Sequence, residues 1–443
     1  MRNPKKHALA MAVALSMALP SVAMATNGYF ANGYGVKSKG MAGAGVAMPL
    51  DAMDATTNPA NMVNVGSRID AGVSWFSPRR SYTVDQVGPQ YGPPAFQLIP
   101  GTYESDNENF FIPNFGWNHM IDDVSSVGIT LAGNGGMNTE YNNVTFPGNP
   151  PGFPTGTYYA GTAGVDLMQL ATMVTYARKV TEQVSLGVTG IYAFARFKAT
   201  GLGSFGQMST SPANLSNNGY DTAGGFGVKV GITGDINDMF SLGASYQSKI
   251  GMDEFDKYKG LFAEGGDFDI PATWSLGAKI SPAAGHSILL DYQRIDYTDV
   301  AAISNPMMPN LGACMQGVVS SCLGGSNGPG FGWEDLNIYR IGYQYDAGNW
   351  QARAGFSTND QPIPESEVVF NIIAPGVVKN HWTAGFTTQV SKNSSLDFSF
   401  SYAPSVKVTG GNPLGQPPGF ANTQNVSIEM EQYEIGANYT WRY

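Results

Sequence analysis

Few side chains in this sequence are suited to covalent chemistry. Beyond an apparent leader the histidines are His119, His286 and His381, and a serine nucleophile would need one of them beside a Ser and an orienting Asp or Asn. No G-x-S-x-G motif accompanies them. His381, next to Trp382 in an alternating stretch, reads better as a rim or lumen residue. Hydrolysis is thus a remote alternative. "GMAGAG" at 40–45 matches a dinucleotide fingerprint in letters only, with no strand before it and no helix after it. Cys314 and Cys322 lack the further soft ligands that a metal requires, and in an exported chain such a pair is expected to close a short loop as a disulfide. The expectation is no catalytic residue, no cofactor and no metal.

What the chain does offer is conformational control. In "DATTNPANMV" at 54–63, Pro59 fixes its own φ and drives Asn58 out of the helical region. Asn58-Pro59-Ala60 reads as a type I turn with an Asn cap. The turn lies in a Gly- and Ala-rich segment that does not alternate as strands do. These residues hold a shape, and the elements around them must give that shape a use.

Residues 1–25 read as a secretory signal: Arg2, Lys5 and Lys6 precede an apolar run from Ala8 to Leu19, then Ala23-Met24-Ala25 as an A-x-A cleavage site, with Thr26 the expected mature N-terminus. The run is too short to span a bilayer as a helix, and no later stretch approaches the required length. Removing the leader makes the net charge of −10 more negative still, which argues against a nucleic-acid partner. With 56 glycines and only 13% charged residues, the composition points to an exported all-β protein.

Strict alternation carries the fold class. In "YEIGANYTWRY" at the C-terminus, Tyr433, Ile435, Ala437, Tyr439, Trp441 and Tyr443 share one face, and the same period recurs at Leu396–Tyr402, Phe240–Tyr246 and Trp274–Ile280. Strands are predicted near 68–77, 105–119, 124–134, 165–179, 183–199, 220–234, 239–251, 268–281, 286–299, 335–346, 349–358, 379–390, 395–405 and 426–443. Short turns such as Asp122-Asp123 and Ala347-Gly348 alternate with long loops rich in Pro, Gly, Asn and aromatics. The prediction is a transmembrane antiparallel β-barrel of about 14 strands over 67–443, with outward apolar faces and a polar lumen. A barrel this wide needs water or a plug inside, and 26–66 is placed as an N-terminal hatch.

The N-terminal Gly/Ala segment ending in Asn58-Pro59-Ala60, "GFGVKVGI" at 225–232, "YRIGYQY" at 339–345, "QPIPES" at 361–366 and "SYAPSVKV" at 401–408 together resemble the FadL/TodX outer-membrane transporters of long-chain fatty acids and other hydrophobic compounds. The resemblance covers essentially the whole mature chain. It implies a hatch plugging a fourteen-stranded barrel, with Asn58-Pro59-Ala60 as the hatch motif against the barrel wall near the exit route. It also implies capture on apolar extracellular loops, transfer to an internal pocket, and sideways release where the third strand kinks.

Mapped onto this sequence, "TLAGNGGMNTEY" at 130–141 follows the third strand, and Asn134, Gly135 and Gly136 are its kink candidates, unless the two glycines merely begin a loop. Capture candidates are Phe96, Leu98 and Ile99 in the first loop and Phe146, Phe153, Tyr158 and Tyr159 in the second, with loop-on-loop packing as the alternative. The family pattern puts Tyr29 and Phe30 at the pocket. A fatty acid would add a need for a cation, for which Arg196 and Lys198 are the nearest candidates. No Lys or Arg lies between Arg294 and Arg340, and a neutral hydrocarbon would be satisfied by Met307, Met308 and Met315. The expected function is passive, energy-independent uptake at the bacterial outer membrane, with a non-specific diffusion porin as the alternative. Expected partners are a hydrophobic small molecule, outer-membrane lipid and lipopolysaccharide, and the barrel-assembly machinery at the C-terminal strand. The chain is expected to be a monomer.

Overall fold

The computed structural model describes residues 27–85, 97–145, 155–414 and 424–443. The signal, Thr26, Phe96, Phe146 and Phe153 lie outside the described residues. Fourteen antiparallel strands form the wall: β1 Arg68–Val84, β2 Phe110–Asp122, β3 Ser125–Tyr141, β4 Ala163–Lys179, β5 Val184–Thr200, β6 Asp221–Asp235, β7 Phe240–Gln247, β8 Thr273–Ala283, β9 His286–Ile295, β10 Leu336–Asp346, β11 Trp350–Asn359, β12 Asn380–Ser391, β13 Ser394–Gly411 and β14 Asn425–Arg442. Each pairs with its sequence neighbours, and β14 returns to β1 from Arg68↔Arg442 to Val84↔Val426, so the sheet closes on itself. Closure of this kind is what a strand needs in lipid, where an unpaired backbone group has no water to turn to.

Burial is inverted relative to a soluble protein. On β14 the apolar Ile435, Tyr439 and Trp441 are exposed, while Glu434, Asn438 and Thr440 are buried. On β5 and β6, Leu186, Val188, Tyr192, Val228, Val230 and Ile232 all face outward. The apolar band meets lipid and the polar face meets the lumen.

The lumen is filled by residues 27–67, nearly all of them buried. A short helical turn, Val36–Lys39, carries two lysines inward. Lys39 pairs with Glu434 of β14, and Lys37 lies 3.9 Å from Asp397 of β13. Asp70 of β1 receives a bidentate contact from Arg68, at 2.6 and 2.7 Å, and accepts from the backbone of Ala52 at 3.0 Å. Breaking one member of such a buried set leaves an uncompensated charge, at a cost of about 3–5 kcal/mol.

Several strand limits differ from the expectation. β1 runs to Val84 rather than 77, and β3 runs to Tyr141 rather than 134, so "TLAGNGGMNTEY" lies within the third strand instead of following it. β7 stops at Gln247 and β9 at Ile295, where the chain leaves the wall for loops that cover the barrel mouth. One of these loops holds the helix Met307–Met315 and the Cys314–Cys322 disulfide, with Cα atoms 4.8 Å apart.

Candidate functional site

The site is built where the wall is incomplete. β3 pairs with β4 throughout, but the register slips between Gly133↔Leu170 and Gly135↔Gln169, leaving Asn134 as a bulge. Before the bulge, Thr130 and Ala132 face inward; after it, Met137, Thr139 and Tyr141 do. A single extra residue thus switches the inward parity of the strand. On the other side, β2–β3 pairing ends at Phe115↔Leu131, and Phe110–Asn114 have partners only on β1. Above the unpaired stretch the wall is joined again, through Asp106 N to Glu140 O at 2.9 Å and Asn107 Nδ2 to Asn138 Oδ1 at 2.6 Å. The result is a window between β2 and β3.

The N-terminal segment occupies that window from inside. Gly136 N donates to Tyr29 O at 3.1 Å and Ala31 N to Asn134 O at 3.3 Å, and Phe30 bridges Gly135. Tyr34 Oη donates to Asn134 Oδ1 at 3.1 Å, and Asn134 Nδ2 donates to Gln169 at 2.9 Å. A Cβ on Gly135 would overlap the Tyr29 carbonyl, so only glycine allows this approach. Ala31 packs with Phe76, Phe110 and Ile112, with Tyr34 and Met168 against them.

Tyr29 and Phe30 also form the floor of an aromatic cluster. Tyr29 lies 5.0 Å from Phe30, 5.6 Å from Tyr297 and 6.1 Å from Trp333 between ring centroids. Tyr297 Oη donates to Asn27 O at 2.6 Å and Trp333 Nε1 to Asn371 at 2.6 Å, so both polar tips are satisfied. A largely apolar cavity with about 530 Å³ of atom-free space lies beneath the loops, lined among others by Tyr158, Phe197, Phe205, Phe262, Phe331 and Ile373. A second, smaller cavity of about 230 Å³ shares Ile373 with it and reaches Gly28, Met137, Trp333, Met430 and Arg80.

Asn58-Pro59-Ala60 is fastened elsewhere. Asn58 is extended (φ −148°, ψ 108°), accepts from Ala60 N at 3.1 Å and caps the 3-10 helix Pro59–Asn64. Its Nδ2 reaches Val46 O at 2.8 Å, Ile232 O at 3.0 Å and Thr233 Oγ1 at 3.1 Å. Glycines at Gly187 and Gly231 leave room for Pro59 and Asn58 against β5 and β6. The motif therefore ties the hatch to β6, not to the bulged third strand.

The hatch also carries carboxyls under strain from their surroundings. Burial, reinforced by neighbouring Asp70, pushes Asp51 up to about 6 against the pull of Lys37 and Arg68. Burial and then Asp51 push Asp54 well up, and burial holds the Lys37 ammonium below its ordinary value.

Other expected site residues are placed differently. Leu98, Ile99, Tyr158 and Tyr159 are buried rather than stranded in solvent, because the loops close on one another: Tyr158 Oη donates to Val369 O at 2.7 Å, Tyr159 to Gln97 O, and Gln424 clasps both backbone groups of Leu98. Tyr158 does line the apolar cavity. Met307 is buried, whereas Met315 is exposed. Arg196 and Lys198 do not reach either apolar cavity. Alternation on β5 turns Phe197 inward and its two neighbours outward, where Arg196 stands 4.2 Å over the Tyr220 ring and 3.8 Å from Asp166. Arg80 is a buried cation that lines one of these two cavities, and the early end assigned to the first strand left it out. Its signal was the extension of β1 parity through Phe76, Arg80, Tyr82 and Val84.

Residues 17–442 match the family model described as outer membrane protein transport protein (OMPP1/FadL/TodX). The long-chain fatty acid transport protein of Escherichia coli K12 is 25% identical over 454 aligned positions, covering 92% of this chain and 94% of that protein. The Salmonella typhi protein of the same name is 24% identical over 447, covering 92% and 93%. Among solved structures, a Pseudomonas aeruginosa FadL homologue superposes with a TM-score of 0.66 at 17% identity, covering 94% of this chain and 99% of that one. The Pseudomonas putida toluene transporter TodX gives 0.65 at 16%, covering 94% and 100%. These structural likenesses establish the barrel fold.

Proposed function

The chain belongs to the OMPP1/FadL/TodX family of bacterial outer-membrane transport proteins, and from that premise we propose that it takes up hydrophobic molecules passively through an opening in its own wall. A ligand gathered by the extracellular loops enters the apolar cavity, passes the Tyr29–Trp333 cluster, and leaves sideways between β2 and β3 once residues 29–34 withdraw. The observation that carries this reading is the window itself, bounded by the unpaired Phe110–Asn114 and the Asn134 bulge and filled by a segment held there by few hydrogen bonds. A solute that dissolves in lipid gains nothing from an aqueous pore, and the lumen here is filled. In this reading lipid and lipopolysaccharide surround the outer band, the barrel-assembly machinery engages β14, and a single chain suffices because the sheet closes on itself.

The test is a staple. Ala31→Cys with Asn134→Cys, in a Cys314→Ser/Cys322→Ser background, joins two residues whose amide and carbonyl are 3.3 Å apart, within reach of a disulfide. Oxidised barrels should not admit radiolabelled palmitate or hexadecanol into cells, and reduction should restore entry. Equal uptake in both states would rule out the window as the route.

A further inference from the structure

Where the wall turns a cation toward the hatch it usually supplies an acid as well, as Glu434 for Lys39 and Asp70 for Arg68. Lys229 of β6 and Arg340 of β10 are exceptions. They are 5% and 7% exposed, and neither forms an ion pair with a described carboxylate. Lys229 Nζ donates to the Thr56 carbonyl and to no other described residue. Arg340 Nη2 donates to Gln293 Oε1 at 2.7 Å and Nε reaches Asn32 Oδ1 at 3.5 Å, while Nη1 donates to no described residue. Asp291, opposite Arg340 on β9, acts on the guanidinium from beyond ion-pair distance. Its Oδ2 is taken by the amides of Gly45 and Val46 at 2.7 and 3.0 Å, and its Oδ1 lies against Gly277. No described acid acts on Lys229. Buried charged donors left unmade are costly, and that cost calls for an acceptor.

Both cations line one cavity between hatch and wall, with about 330 Å³ of atom-free space. The wall adds Ser275 and Gln293 to its lining, and the hatch adds Tyr34, Thr56 and Thr57. The hydroxyls of Ser275 and Thr57 make no hydrogen bond to a described residue, so they too are free to donate into it. No carboxylate lines the cavity, and its apolar lining is limited to the small Ala31 and Val46. It shares no lining residue with either cavity near the aromatic cluster. Its walls therefore suit a compact charge and offer nothing to an apolar tail.

We propose that this cavity binds one small inorganic anion, of the size of chloride, between Lys229 and Arg340, and that the anion pins the hatch to the wall. Its donors stand on separate strands and on the hatch, an arrangement that a spherical ion accepts because it makes no directional demand. Thr56 and Thr57 run directly into Asn58, which is tied to β6, and Tyr34 reaches Asn134 at the window. The anion thus joins hatch segments that lead to both of these contacts. The inference is independent of the route by which ligands leave the barrel.

Two measurements on the mature chain test this. The first is anomalous diffraction from crystals grown in sodium bromide, where a bromide peak is expected between Lys229 and Arg340. Bromide found only on the outer surface would overturn the proposal, and so would loss of the internal peak on adding palmitate, which would make the cavity a ligand subsite. The second is amide exchange in nanodiscs, in sodium chloride and in sodium gluconate at equal ionic strength. Exchange at residues 43–46 and 56–58 should slow saturably in chloride, by about tenfold at ten times the dissociation constant. Equal exchange in the two salts would overturn the proposal. Lys229→Gln and Arg340→Gln, checked for folding by heat-modifiable gel mobility, should each reduce the chloride effect to less than about twofold at the same concentration. A chloride effect that survives both substitutions would place the ion elsewhere and overturn the assignment. If neither variant folds, the bromide map of the wild type decides the matter.

Discussion

The amide of Gly136 donates to the carbonyl of Tyr29 across 3.1 Å, joining the third strand of the wall to the first residues of the hatch. Strand and hatch are thus parts of one sheet at the place where strand and strand are not. A neighbour held by a few backbone bonds can leave at a cost of only about 0.5–1.5 kcal/mol per bond, whereas opening a full ladder between two wall strands would break many more.

Gly135→Val follows directly. Its Cβ would occupy the place of the Tyr29 carbonyl, so the variant should loosen residues 27–34 while leaving β3–β4 pairing in place. Amide exchange at Gly136 and Ala31 is expected to quicken by about one to two orders of magnitude, for loss of two hydrogen bonds. Exchange at the wild-type rate would mean that packing, not pairing, holds the segment. The side chain at this position points inward after the bulge, so bulk here dislodges the hatch rather than filling the wall.

Asn58→Ala removes contacts to Val46, Ile232 and Thr233 together with the cap on Ala60. The hatch should be destabilised by about 1–3 kcal/mol, since buried partners are left unpaired. Lys37 and Lys39, buried in the native hatch, then become open to trypsin. Cleavage after these lysines in the variant, with the barrel still heat-modifiable, is the expected result. A protease-resistant hatch would show that the tie to β6 is redundant.

The pH response of the hatch has an unusual sign. Asp51 has a value of about 6 in the folded hatch, above the ordinary 3.8. Between those values the folded form keeps a proton that the unfolded one has lost, so the contribution of Asp51 to stability falls as pH rises from about 4 through about 6 and is constant above. Asp51→Asn keeps an acceptor for the Met53 amide, 2.9 Å away, and removes the charge. Hydrogen exchange corrected for intrinsic rates should find the variant hatch more stable than wild type at pH 8, with the gap closing near pH 4. A gap that widens toward acid would reverse the assignment.

The barrel was legible in the sequence because lipid on one side and a polar lumen on the other impose a period of two on every strand. Leu186, Val188 and Tyr192, or Ile435, Tyr439 and Trp441, carry that period without interruption. The place of the window was legible only through the family resemblance, which put the kink candidates at Asn134, Gly135 and Gly136; alternation hides it, because a bulge changes parity. Reading "TLAGNGGMNTEY" by alternation alone, Gly135 and Gly136 look like the start of a loop, and only the pairing Gly133↔Leu170 followed by Gly135↔Gln169 shows a strand that continues. Arg80 was hidden for a related reason, since β1 continues past Ser77 with a proline in it. The outward placement of Arg196 and Lys198 was within reach of the sequence, as Phe197 between them had to take the other face. Burial of Tyr158 and Tyr159 depends on residues 97 and 369, far off in the chain, and no local pattern announces that contact.

The register of β3 also supplies the sharpest test of lateral exit. Deleting Asn134 alone would make Gly133 and Gly135 consecutive, matching Leu170 and Gln169 on β4 without a slip. Pairing with β4 is therefore retained, the turn of the strand is removed, and β3 can continue along β2 opposite Phe110–Asn114. The deletion should yield a folded, heat-modifiable barrel in which the window is sealed by ordinary strand pairing, and uptake of palmitate and hexadecanol by cells should both be lost. Loss of palmitate alone would point to discrimination of the head group rather than to the route. Undiminished uptake of both, with the new β2–β3 hydrogen bonds seen by amide exchange, would show that ligands leave by some way other than the wall.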